Sequence, residues 1–202
     1  SFEFISNNNK IISNSGYFQN YNHQLNLISK STACHSTLSI ENFSSFNFLK
    51  QSSGFNEINS SLKIFDKKIV NRNDYWSFEA SHNGYNKKFG ITHYRKVEFF
   101  HDNLKICGLD KVEKKKDFKE SSFEIRFHLD PEAKVMKTQD GRSILIGIKN
   151  EGWKFTSLNN KITYETGLYF GNKNNFVENQ NILISDKIID EDILIKWEIE
   201  KI

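Results

Sequence analysis

Proline is nearly missing: Pro131 is the single one in 202 residues, beside 10 Gly. That excludes a collagen-like, polyproline or Gly/Pro-rich disordered chain. Cysteine is scarce too. Cys34 and Cys107 are the two present and no CxxC occurs, so no dense disulfide framework and no zinc ribbon is written here. Whether the two pair or stay free is open at this level. Apolar runs are short; none approaches the length of a membrane-spanning helix. Charge of one sign is lacking as well. With 28 Lys and Arg against 25 Asp and Glu the formal charge is +3, which neither demands a nucleic-acid partner nor excludes an anionic one. The cations are scattered, so no nucleic-acid partner is expected. The phosphate loop GxxxxGK[ST], the dinucleotide fingerprint GxGxxG, HExxH and GxSxG are all absent. No stretch sustains a helical period.

What is present is a strand code. Hydrophobic residues make up 37% of the chain, a low share, but 14% is aromatic, including 18 Phe, and rings bury much area each. The length suits one large domain or two small ones, and all-β sandwiches of this size are common as single domains. Alternation marks 17–28 as one or two strands, followed by a strand from Ser36 to Ile40 that His35 enters near its start. Residues 42–61 read as a loop with a short strand near 46–49. Leu62 to Val70 reads as a strand with a bulge, and Tyr75 to Ala80 as another. Thr92 to Phe100 is a long strand, turned at Asp102-Asn103 and returned by Leu104 to Val112, the clearest hairpin in the sequence. Further strands fall at 123–129, 135–136, 143–148 (after an Asp140-Gly141 turn), 152–155, 162–171, 181–185 and 193–202. The expected fold is an all-β antiparallel sandwich over 16–202, with 1–15 a polar lead-in. The chain starts at Ser1 rather than Met, and an upstream part is expected.

The densest chemistry lies in 81–100: two histidines, two glycines and a run of cations. Ser81-His82-Asn83-Gly84-Tyr85 followed by Phe89-Gly90-Ile91-Thr92-His93-Tyr94-Arg95 resembles the His-Asp-Gly-Tyr and Phe-Gly-Val-x-His-Arg-Arg motifs of the heparinase II/III family. Arg126-Phe127-His128-Leu129-Asp130-Pro131 resembles its Arg-Phe-His-Leu-His-Pro, with Asp130 in place of a histidine. Glu151-Gly152-Trp153-Lys154-Phe155 is similar to Gly-Glu-Gly-Trp-Arg-Phe. Tyr164-Glu165-Thr166-Gly167-Leu168-Tyr169-Phe170-Gly171 is similar to Leu-Glu-Glu-Ser-x-Tyr-x-Gly, and Ala33 to Ile40 to a variant of the family's His-Ala-Asp-x-Leu-Ser-Phe strand.

The resemblance implies a C-terminal β-sandwich that follows an α/α-toroid in complete members. It implies cleavage of uronic-acid-containing polysaccharides (glycosaminoglycan or alginate) by β-elimination, with most catalytic groups on the toroid. It also implies a periplasmic or cell-envelope location. The expected partners are therefore an anionic polysaccharide and the toroid, and this fragment alone is expected to be inactive. On motif matches the candidate catalytic residues are His35, His82 and His93, and the candidate substrate-binding cations are Lys87, Lys88 and Arg95. Imidazole serves as acid, base or ligand near neutral pH, and cations acidify a C5 proton by neutralising the uronate. The family's zinc site would draw on His35 and His82. Its expected Asp is not matched, since Glu57 is the one carboxylate between Asn47 and Ser60, so a zinc cofactor lacks a ligand.

The plainer readings stand beside these. A histidine in a β protein is usually a packing or surface residue. His128 reads as structural under a loop, His23 and His101 as solvent-facing turns, and Lys114, Lys115 and Lys116 as a solvated loop. Trp76, Trp153 and Trp197 read as core, although exposed they would make a sugar-stacking platform. The competing function is a carbohydrate-binding or structural sandwich without catalysis.

Overall fold

A computed structural model describes residues 1–50, 56–59, 62–173, 175–189 and 191–202, with the side chains of 49, 50 and 56–59 outside that description. In chain order the elements are β1 (Phe4–Ser6), β2 (Asn9–Ile12), α1 (Gln24–Ser29), β3 (Leu38–Ile40), β4 (Asn47–Lys50), β5 (Asn56–Asn59), β6 (Ile64–Asn71), β7 (Tyr75–Tyr85), α2 (Asn86–Phe89), β8 (Ile91–Phe100), β9 (Lys105–Lys114), β10 (Ser121–His128), β11 (Lys134–Lys137), β12 (Ser143–Ile148), β13 (Glu151–Ser157), β14 (Ile162–Asn172), β15 (Asn175–Ile188) and β16 (Ile193–Lys201).

Two antiparallel sheets pack face to face. The larger runs β11-β12-β13-β16-β9-β8-β7-β6 and the smaller β14-β15-β10-β3. Alternation builds the core between them. Phe123, Ile125 and Phe127 point inward from β10, and Trp153 and Phe155 from β13. The Phe127 ring lies 4.6 Å from Phe155 and 4.8 Å from Trp197, which locks one sheet onto the other. The all-β antiparallel sandwich is thus the observed architecture. Among the described residues no helix is long and apolar enough to cross a membrane.

Three stretches differ from expectation. The strands expected over 17–28 are in part the helix α1. His23 caps it, its Nδ1 accepting from the Leu25 amide at 3.2 Å, and Asn26 donates to the Tyr17 hydroxyl at 2.9 Å and to the Phe18 carbonyl. Its inward residues are polar (Asn26, Ser29), while Leu27 and Ile28 are exposed, so hydrophobic spacing misreads it. β7 runs on to Tyr85, with a register shift between His82 and Tyr85, which places His82 in a strand rather than a loop. Residues 1–15, expected as a polar lead-in, carry the β1–β2 hairpin, with Ile11 and Ile12 fully buried in the core. Glu57 falls where side chains are outside the described residues.

Candidate functional site

Register assembles the site. β8 and β9 place Arg95 opposite Asp110, β9 and β16 place Gly108 opposite Trp197, and β7 and β8 place His82 opposite His93. His93, Arg95 and Asp110 all fall on inward positions of their strands. Asp110 is fully buried, yet its oxygens are saturated. Arg95 grips it with Nε on Oδ1 at 2.7 Å and Nη2 on Oδ2 at 3.0 Å, His93 Nε2 meets Oδ1 at 2.6 Å, and Trp197 Nε1 donates to Oδ2 at 2.9 Å. Burial by itself would raise this carboxyl; the Arg95 guanidinium and the His93 bond outweigh it and hold it well below the usual carboxylate range. Gly108 makes room for the indole. A Cβ there would lie 2.0 Å from the Trp197 ring, so no larger residue lets the indole lie flat on β9.

Donor logic fixes the tautomers. The Gly84 amide donates to His82 Nδ1 at 3.2 Å, so that nitrogen bears no proton. His82 Nε2–H therefore donates to His93 Nδ1 at 3.0 Å, and His93 Nε2–H to Asp110. Both imidazoles are neutral in this arrangement. Burial pushes His82 down to about 3, helped by neighbouring positive groups, and burial likewise pushes His93 down against the pull of Asp110. The chain Gly84–His82–His93–Asp110 is a closed run of hydrogen bonds that leaves neither ring a free nitrogen.

His35 differs. Its Nδ1 pairs with the Ser31 carbonyl at 2.8 Å and so carries the proton. Its Nε2 lone pair has no partner among the described residues. His35, His82, His93 and Arg95 all line one cavity of about 640 Å³, walled by β7 and β8, by Thr37 and Leu38, and by Ser45, Phe46 and Phe48. That volume is in the range of small-ligand sites. The six predicted site residues therefore divide. Four share this cavity, whereas Lys87 and Lys88 line a second one of about 460 Å³. Arg95 also spends Nη1 on the Ser36 carbonyl at 2.6 Å, so three of its N–H donors are committed inside the protein. It is 6% exposed.

The zinc that the resemblance implies would draw on His35 and His82, and these bonds bear on it directly. His82 has both ring nitrogens engaged, and no group of three or more His, Cys, Asp or Glu able to hold a metal occurs among the described residues. The residues described do not fit a zinc site. The remaining histidines read as expected. His128 is 2% exposed, held by Ser15 Oγ at 3.0 Å and the Ala33 carbonyl at 2.9 Å, and burial pushes it down to about 4. His101 is an exposed turn residue. Cys34 and Cys107 are free thiols, both raised by burial. Trp153 and Trp197 are 1% exposed, and Trp76 is half-buried against Phe78 and Phe99.

Asp110, Trp197, Ser36 and Gly108 were not singled out as site residues. Asp110 had a signal: it interrupts the inward series Ile106, Gly108, Val112 with a carboxylate.

The site is thus a buried ion cluster under a cavity, set in an antiparallel sandwich of an eight-stranded and a four-stranded sheet. The chain belongs to the heparinase II/III-like C-terminal family, whose model matches residues 1–198. Among solved structures it is similar to the heparan sulfate lyase HepC from Pedobacter heparinus, at 14% identity and a TM-score of 0.80, covering 99% of this chain and 30% of that one. It is similar to the heparinase III BT4657 gene product at 13% identity and a TM-score of 0.77, covering 99% and 29%. A structure titled heparinase III gives 15%, 0.71 and the same coverage. At such identity these show a shared fold, and the chain spans about 30% of their length. No curated protein sequence matches it.

Proposed function

We propose that this chain is the sandwich domain of a polysaccharide lyase that cleaves a uronate-bearing polymer by β-elimination in the periplasm or cell envelope. In that reaction a base removes the C5 proton, the C4–O bond breaks, a C4=C5 double bond forms, and an acid protonates the departing oxygen. The remaining catalytic groups would come from an N-terminal α/α-toroid that closes over the 640 Å³ cavity. The observation that carries the reading, beyond family membership, is His35. It is the one cavity histidine with an unpaired nitrogen among the described residues, and its tautomer is fixed by Ser31. A free Nε2 can accept a proton or a sugar hydroxyl, which His82 and His93 cannot do while bonded as they are. The Asp110 cluster keeps the floor rigid and nearly neutral, so a uronate carboxylate would not meet an exposed anion there.

A non-catalytic sugar-binding module is less well supported. Trp153 and Trp197, which would have to offer ring faces, are buried in the core. The test uses the longer protein that carries the helical region. With uronate polymers it should yield products absorbing as unsaturated uronates, and His35→Ala should lower kcat by tenfold or more with the fold intact. Saturated reducing-end products would overturn the lyase reading.

A further inference from the structure

The second cavity, about 460 Å³, is lined by Lys87, Lys88 and Lys119 together with Phe43, Phe46, Leu62, Tyr85 and Phe89, and among the described residues by no carboxylate. The three lysines arrive from two segments. Lys87 and Lys88 lie on α2. Gly90, at φ +66°, ends α2, and the loop over 115–119 packs so close to it that a Cβ there would fall 2.6 Å from Asp117. The Lys119 amide then donates to the Phe89 carbonyl at 3.0 Å, and the Lys115 amide to the Gly90 carbonyl at 2.8 Å. These bonds bring Lys119 to the same groove.

Several lysines elsewhere are ion-paired. Lys96 pairs with Glu98, Lys105 with Glu198, Lys111 with Glu113, Lys154 with Glu200 and Lys201 with Glu151. Among the described residues, Lys87, Lys88 and Lys119 have no carboxylate within ion-pair distance. The Lys88 ammonium instead sits over the Phe43 ring, which holds it at the groove. Three uncompensated cations around a concave surface focus positive potential there. Ser45 and Phe46 line both cavities, so the groove adjoins the first cavity across a shared wall. A polymer lying along that wall would meet His35 on one side and the lysines on the other.

We infer that the Lys87–Lys88–Lys119 groove is an anion subsite for a sulfated or carboxylated sugar unit of the polymer, one step along from the His35 cavity. This rests on the reading of the chain as part of a protein that acts on anionic polysaccharide. Phe46 and Leu62 give the sugar ring an apolar floor, and the ammonium groups meet its anions. Because lysine presents a point charge, either sulfate or carboxylate satisfies the site.

The test is calorimetric titration of this chain with a heparin hexasaccharide, a non-sulfated uronate hexasaccharide, maltohexaose and a single-stranded oligodeoxynucleotide. It is repeated with the Lys87→Ala/Lys88→Ala/Lys119→Ala variant. All three lysines are exposed, so the variant should keep the wild-type melting curve. At least one anionic sugar should bind, maltohexaose should not, and the variant should lose tenfold or more in affinity. Binding to either anionic sugar with that loss supports the assignment, and the preferred one identifies the anion. Unchanged affinity in the variant overturns the groove while leaving the polysaccharide reading standing. No binding of any anionic sugar overturns the groove, while the polysaccharide reading is decided separately by the product assay on the longer protein. Equal or tighter oligodeoxynucleotide binding with the same loss overturns the saccharide assignment.

Discussion

Asp110 is the residue on which the site depends. A carboxylate with no exposure would cost several kcal/mol if left alone. Here Arg95, His93 and Trp197 satisfy it from two neighbouring strands. Asp110→Asn keeps the shape but removes the charge, so the Arg95 guanidinium would be left buried and unpaired. Breaking a buried pair in this way costs about 3–5 kcal/mol. Urea unfolding of Asp110→Asn should show a loss of that size, with Trp197 fluorescence altered before unfolding; a loss under about 1 kcal/mol would contradict the account. This residue was within reach of the sequence. The Asp102-Asn103 turn, taken as the hairpin centre, sets Arg95 against Asp110, and the structure has that register. What alternation could not supply was the third strand. β16 comes after six intervening strands, so Trp197 reaches Asp110 only through a long-range pairing.

At the scale of elements, legibility followed periodicity. The β8–β9 hairpin, β10 and β13 alternate and were readable, and the Asp140-Gly141 turn marked the β11–β12 hairpin. α1 was not, because six residues are too few to show a helical period and its buried side is polar. β5 was read as loop, its Asn-rich sequence carrying no alternating signal. The strands also carry a pH response through the histidines of β7 and β10. From an ordinary value of 6.5, burial depresses His82 to about 3 and His128 to about 4. Between those values and 6.5 the unfolded chain binds more protons than the folded one. Stability therefore rises with pH through that window and levels off above it. The slope is at most about 1.4 kcal/mol per pH unit for each histidine. Asp110, also depressed, acts in the same direction at still lower pH. Urea midpoints at pH 7.0, 5.5 and 4.5 should fall in that order, and His128→Gln should flatten the fall. Constant midpoints would contradict the assignment of buried, neutral rings.

At the scale of the whole molecule, order of motifs carried more than any single motif. Pieces from Ala33 to Gly171 pointed to one family, and the family model matches residues 1–198. The sandwich followed from it and from alternation alike. The division of the candidate residues between two cavities was not legible, because Lys87, Lys88, His82 and His93 are neighbours in sequence. Only the bulge in β7 and the short α2 turn them to different faces. Nor did the motifs show that His82 and His93 satisfy each other rather than a metal. On the proposed function the sandwich holds part of a site, with His35 Nε2 unpartnered among the described residues, Asp110 anchored and the remaining catalytic groups on a helical domain. The most direct measurement is an absorbance assay for unsaturated uronate with this 202-residue chain alone, over heparan-type and other uronate polymers. No product is expected at any concentration of the chain. Product that rises in proportion to the chain added would contradict it.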